Sequence, residues 1–365
     1  MPLEPATVSI HTTEEIKPPV TSIGVIGWAR KNLFSGKFNS LLTLLILFVL
    51  YETVPPFVRW AFVNSVWFTG SQACKEAAGA CWSVVTNNVR FILFGFYPYE
   101  EQWRPVLAIS LLLGFMLYSR NRRRWNSYLL FAWPIGLALM GVVMYGGVLG
   151  LSEVDTEKWS GISLTLVLAI FGLSAAYPLG VVLALGRRSR LPAIKNLCVL
   201  YIELIRGVPL ISMLFMASVM LPLFLPEGVT INKILRAQVA IILFTAAYIA
   251  EVVRGGLQAI PRGQYEAAEA LGLNYYQKMR CIVLPQALKT VIPPTVSILI
   301  SAFKDTSLVV IIGLFDLLRT THVTLSNPEW MGFSNEAYLF TALIYFLGCF
   351  FMSNFSRRLE TELKT

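Results

Sequence analysis

Eight stretches of the chain stay apolar for long enough to approach the thickness of a bilayer: 41–63, 105–119, 128–150, 162–186, 197–225, 237–256, 294–316 and 336–355. About 20 apolar residues, rising 1.5 Å each, cross a hydrocarbon core of about 30 Å. The pattern predicts an all-α polytopic membrane protein with about eight transmembrane helices. The first run holds Pro55, Pro56 and Arg59. It reads as a span ending near Tyr51, followed by an interfacial helix through about Phe68. The run at 105–119 is short, and its support comes from the polar segments around it.

Those segments alternate in charge. With the N-terminus inside, the inner segments collect Lys17, Arg30, Lys31 and Lys37; Arg120 and Arg122–Arg124; Arg187, Arg188, Arg190 and Lys195; Arg254, Arg262, Lys278, Arg280 and Lys289; and Arg357, Arg358 and Lys364. The outer segments hold only Lys75, Arg90, Arg104, Lys158, Lys233, Arg236 and Arg319. Cytoplasmic loops are enriched in Lys and Arg, so this asymmetry predicts eight spans with both ends cytoplasmic. Dropping the short span would turn the Arg120–Arg124 cluster outward or invert every later loop.

Composition agrees. The chain has 365 residues, 56% apolar and 14% charged, where a soluble domain carries about 25% charged residues. The net charge of +9 lies in short clusters between apolar runs, not in a basic strip interleaved with exposed aromatics, so a nucleic-acid partner is not expected. Residues 1–37 read as a disordered cytoplasmic arm, and residues 1–20 contain no apolar signal-peptide core. The five cysteines form no C-x-x-C pair and there are two histidines, so no metal site is expected. Cys74 and Cys81 share the predicted outer loop 70–103, where they form either a disulfide or two free thiols.

Residues 38–155 carry three spans with little polar content, and 156–365 carry five spans with every intramembrane charge pair. The acidic segment Ser152–Glu157 is the expected boundary. The longest inner segment of the second part, 257–290, contains Glu266-Ala267-Ala268, then Gly272, then Ile282, Leu284 and Pro285. Tyr265–Leu271 favours helix, Gly272 suits a left-handed stop, and Tyr275–Val283 can form a second short helix before Pro285. The segment predicts a compact helix–Gly–helix knob, with small alanines permitting close approach and Glu266 offering a charge.

The spacing E-A-A, three residues, G, nine residues, I-x-L-P resembles the coupling loop of permease subunits in ABC importers. That resemblance implies that the knob seats in a groove of a separate ATPase subunit. Three further stretches resemble the polar amino-acid branch: Tyr201-Ile-Glu203-Leu-Ile-Arg206-Gly207-Val208-Pro209-Leu, Ala247–Gly256, and Lys304-Asp305-Thr306-Ser307-Leu308. Val208 departs from the branch, where Thr is common. Length and three extra leading spans resemble the longer subunits of general L-amino-acid importers. The resemblance implies a non-catalytic subunit working with two ATPases, a second permease (similar or identical), an external binding protein and an amino-acid substrate, in a prokaryotic inner membrane. No Gly-x-x-x-x-Gly-Lys-[Ser/Thr] loop is present, so ATP is expected on the partner and no cofactor on this chain.

Charges within a bilayer are costly, at about 2.5–3.5 kcal/mol or more near the midplane, and usually face a cavity or a partner. Arg206 lies about ten residues into its run and Asp305 about eleven. An amino acid offers a carboxylate and an ammonium. Arg206 can grip the first and Asp305 the second. Thr306 and Ser307 add hydroxyls, Gly207 with Pro209 breaks the helix beside Arg206, and Glu203 is nearby. Alternatively, Glu203 pairs with Arg206 one turn away, and Asp305 pairs with a cation of a partner. Glu251 and Arg254 read as a structural pair or part of a gate. A secondary transporter is the competing class, but no strong internal repeat is visible. A membrane enzyme lacks converging catalytic groups.

Overall fold

A computed structural model describes residues 24–119, 124, 126–148 and 150–364. The first 23 residues of the predicted arm and Arg120–Arg123 lie outside the described residues. Two compact units result, Met1–Val66 with Cys74–Ala80 and Trp67–Ala73 with Cys81–Thr365.

The first unit contains α1 (Gly24–Asn32) and α2 (Lys37–Val58). Contrary to expectation, α2 does not stop near Tyr51. It runs through Pro55 and Pro56 and closes in a π-turn, Arg59–Val63. Proline lacks an N–H but its fixed φ is helical, and a membrane helix tolerates the lost bonds when local winding adjusts. Here Arg59 donates its amide to both Pro55 O and Pro56 O. No residue of α2 is buried.

The second unit begins with α3 (Ser71–Glu76, which the unit boundary crosses), α4 (Ser83–Phe94), α5 (Trp103–Ser119) and α6 (Ser127–Tyr145). Cys74 and Cys81 are both in disulfide form, whereas Cys198, Cys281 and Cys349 are free thiols. Next come α7 (Gly161–Arg187), α8 (Pro192–Gly207), α9 (Leu210–Phe215), α10 (Lys233–Ala259), α11 (Arg262–Ala270), α12 (Tyr275–Lys278), α13 (Leu284–Asp305), α14 (Leu317–Leu325) and α15 (Ser334–Lys364). Among the described residues there is no β-strand.

Helices α7 and α10 form the centre. Gly172, Ala176, Gly180 and Ala184 recur every four residues and are all buried, a small-residue stripe that lets two helix backbones approach. The fit is tight: a Cβ on Gly180 would lie 2.6 Å from Ile249 Cγ2 and 2.9 Å from Ala246 O. Spans two and three belong to the same packed body. Tyr97, Ala108, Met144, Val154 and Trp159 share one core with Leu164, Leu168, Ile234 and Ile312. Ser152–Glu157 is therefore a turn within the packing. Arg104, inside it, binds Ser152 O at 2.7 Å and Glu101 at 2.8 Å.

Two expected spans have different internal form. The run at 197–225 is two helical pieces, α8 and Leu210–Phe224, bent by 104° at Val208-Pro209. Helix α13 starts ten residues before 294, passes through Pro293 and Pro294, and ends at Asp305, where it tightens into a 3₁₀ segment, Thr306–Ile312. Gly313 then turns left-handed at φ 71°. Asp316 caps α14 by accepting from Leu318 and Arg319 amides. Tyr345 donates to its carboxylate at 3.1 Å. Among the described residues, five helical stretches are long and apolar enough to cross a membrane, the bent pair makes a sixth, and the shorter helices α5 and α6 coincide with the predicted runs 105–119 and 128–150.

Candidate functional site

The knob grows from the end of α10. Pro261 ends the extended step after α10, and α11 follows. At its far end Gly272 sits at φ 73°, with its amide on Glu269 O at 2.9 Å and the Leu273 amide on Ala268 O at 3.1 Å. This is a Schellman closure, which favours glycine. Asn274 opens α12 through a reciprocal capping box with Gln277. A π-turn, Met279–Val283, then runs straight into α13, with Pro285 in its first turn.

The motif residues divide between surface and support. Glu266, Ala267, Gly272 and Pro285 are exposed, while Ala268 is buried and Ile282 and Leu284 pack partly inward. Leu271, Tyr275 and Tyr276 add exposed apolar surface around them. The knob is tied to the bundle at two points. Tyr265 donates to Leu257 O at 3.1 Å and accepts from Arg188, at the end of α7, at 3.1 Å. Gln286 reaches Gln264 at 3.1 Å. Lys278 hydrogen-bonds Glu269 and holds its carboxyl below the usual range. These contacts join the knob to α10, α13 and the end of α7.

At the knob end of the bundle, three helices contribute charges. Arg187 of α7 contacts Glu203 of α8 at 3.0 Å and Glu251 of α10 at 3.1 Å. Arg206 lies 3.7 Å from Glu251, and Arg254 hydrogen-bonds Glu251. The expected alternative of a Glu203–Arg206 pair is not what forms: each finds a partner on another helix, Glu203 on Arg187 and Arg206 on Glu251. Glu251 and Arg254 do pair, as the hub of a five-residue network.

Beside this network lies a cavity of about 350 Å³, lined by Leu210, Thr245, Tyr248, Ser297, Ser301 and Asp305 among others. Its size falls within the range of about 300–1,000 Å³ usual for small-molecule pockets. Among the described residues, Asp305 is its one charged lining group. Arg206 is outside the lining but lies over the Tyr248 ring, 5.7 Å from its centroid. Tyr248 therefore borders both Arg206 and the cavity that Asp305 lines. Gly207 ends α8 immediately before the 104° bend. Thr306 and Ser307 are not among these lining residues. Their hydroxyls turn back to Phe303 O at 2.8 Å and Lys304 O at 2.9 Å. Asp305 is the last residue of α13 rather than a mid-helix residue.

Sequence reasoning missed Arg187, Thr245, Tyr248, Ser297 and Ser301. A signal existed for two of them. Ser297, Ser301 and Asp305 are spaced four apart on an otherwise apolar helix, which places them on one face. Arg187 was absorbed into the count of inner cations.

Residues 176–365 match the family model described as "Binding-protein-dependent transport system inner membrane component". The chain belongs to this family. The inner membrane amino-acid ABC transporter permease protein YhdY of Escherichia coli (strain K12) is 46% identical over 343 residues, covering 93% of this chain and 93% of that one. The glutamate/glutamine/aspartate/asparagine transport system permease protein BztC of Rhodobacter capsulatus is 39% identical over 427 aligned residues, covering 98% of both. Both alignments extend over the leading spans, which the family model does not reach. A solved structure titled "Crystal structure of an amino acid ABC transporter with histidines" superposes with TM-score 0.50 at 31% identity, covering 55% of this chain and 92% of that one. The chain is a membrane-embedded permease component, and its helical plan is that of ABC importer permeases.

Proposed function

We propose that this chain is the permease subunit of an amino-acid importer, and that Asp305, with Ser297, Ser301 and Thr245, receives the ammonium end of the substrate while Arg206 guides its carboxylate. The observation that carries the substrate class is the cavity that the Asp305 carboxylate and four hydroxyl-bearing residues, Thr245, Tyr248, Ser297 and Ser301, line beside an arginine at a broken helix. A carboxylate in a low-dielectric site selects a partner able to return a positive charge and several N–H donors. Glu203 acts through Arg187, Gly207 frees the chain to bend, and Thr306 and Ser307 shape the helix end. The relatives' names point the same way.

The knob at Glu266–Ala268, Gly272 and Ile282–Pro285 docks on a separate ATPase, which supplies ATP hydrolysis. This chain itself needs no cofactor. A second permease core, similar or identical, completes the path, and an external binding protein delivers substrate. Both termini lie on the ATPase side of a prokaryotic inner membrane. Closure of the ATPases pushes the knob and rocks α7, α10 and α13.

Co-purification with the ATPase, then ATPase assays in lipid with the binding protein and a panel of amino acids, tests this reading. Stimulation by some amino acids supports it. A stable complex that ignores every amino acid would overturn the substrate class, and the absence of any ATPase partner would overturn the whole.

A further inference from the structure

At the end of the bundle opposite the knob, a second cavity of about 460 Å³ lies in the seam between α6 and the α7–α10 pair. Its polarity is graded. Tyr145, Asp155, Thr156 and Asn232 form a polar mouth. Gly141, Val167 and Phe171 line its depth, about 15 Å from the start of α7 at Phe171. Among the described residues, Asp155 is its one charged lining group.

Two of its lining residues carry a buried side-chain polar atom with no hydrogen-bond partner among the described residues. The atoms are the indole nitrogen of Trp159 and the side-chain oxygen of Gln238, on residues 8% and 9% exposed. The Gln238 nitrogen is held by Leu168 O at 3.3 Å, so only the oxygen is left over. A buried donor and a buried acceptor left unmet on one cavity are costly to the fold alone, and a ligand that meets them repays that cost. The flanks of the seam are apolar and exposed: Leu139 and Val142 on α6, Leu235 and Val239 on α10. In a membrane those flanks face acyl chains.

We propose that this seam is a phospholipid site that takes a zwitterionic lipid with a primary ammonium headgroup. The ammonium meets Asp155 at the mouth, with the Tyr145 ring beside it. Trp159 donates its indole N–H to an ester or phosphate oxygen, a pairing natural to tryptophan at the bilayer interface. Gln238 accepts from a water carried in the ester layer, and the tail follows Gly141, Val167 and Phe171. An anionic lipid is disfavoured, because Asp155 stands at the mouth and Glu153 is hydrogen-bonded to Tyr145 there. The site would make a lipid part of the joint between the extension and the core.

The test uses the full transporter complex, with bound lipid read by native mass spectrometry after exchange into phosphatidylethanolamine or phosphatidylglycerol. A Cβ on Gly141 meets nothing within 4 Å, so Gly141→Leu fills the seam without a backbone clash. Wild type is expected to retain phosphatidylethanolamine at least about tenfold over phosphatidylglycerol, Gly141→Leu to lose it, and Trp159→Phe to hold it about fivefold more weakly, as one lost hydrogen bond requires. Equal retention of the two lipids by wild type, or undiminished phosphatidylethanolamine in an assembled Gly141→Leu complex, overturns the proposal. If Gly141→Leu does not assemble, Trp159→Phe decides by the amount of phosphatidylethanolamine it retains, and an undiminished amount overturns the proposal.

Discussion

Helices α2 and α7 are both long, apolar and crossed by proline, yet they are built for different neighbours. α2 is rich in Leu and Phe, contains neither glycine nor alanine, and buries no side chain. α7 places Gly172, Ala176, Gly180 and Ala184 on one stripe and buries nine residues. Hydropathy alone says that a helix enters lipid. The spacing of small residues says which helix packs against protein. The difference predicts where substitutions hurt.

The largest effect is expected at Gly180. Gly180→Leu drives a side chain into Ile249 and the Ala246 carbonyl, and should cost about 3 kcal/mol or prevent assembly, as overpacking does. The opposite change in α2, Leu45→Ala, removes an exposed side chain and should shift stability by no more than about 0.5 kcal/mol. Thermal unfolding of the two variants in the same detergent checks the pair, and equal losses would erase the contrast. Next in size, Asp305→Asn should weaken amino-acid stimulation of the complex about 10–100-fold, the range for losing a hydrogen bond to a charged group. Unfolding should barely change, because Asp305 borders a cavity. Arg187→Gln should leave Glu203 without the one ion-pair partner it has among the described residues and lower transport several-fold with normal expression. The smallest effect concerns Glu269. Lys278 depresses its carboxyl below 4.5, so its contribution to the knob is present above that pH and fades as pH falls through the lowered value. Hydrogen-exchange protection of α11, taken relative to the intrinsic exchange rate at each pH, should fall in acid for wild type, and Glu269→Gln should flatten that dependence.

Local chemistry was the legible part. The knob followed from residues close in sequence: Gly272 closing α11, Asn274 opening α12, and alanines thin enough for contact. The eight apolar runs and the break before Pro209 were equally plain. What the chain did not reveal depends on contacts far apart in sequence. Arg187 reaches Glu203 and Glu251 only once three helices have packed, so the nearer Glu203–Arg206 pairing looked adequate. Pro55 and Pro56 suggested a helix end, because nothing local announces that a π-turn will absorb them. Asp305 was placed mid-span because the apolar run, not the helix, set the ruler.

The decisive measurement is the number of amino acids imported per ATP hydrolysed by the reconstituted complex, for wild type and Gly272→Arg. Gly272 has open space around it but a left-handed backbone, so arginine distorts the knob while the bundle keeps its packing. If the knob transmits the ATPase stroke, the variant should bind its ATPase, hydrolyse ATP and import several-fold less per ATP. An unchanged ratio in Gly272→Arg and in Glu266→Lys would contradict that role.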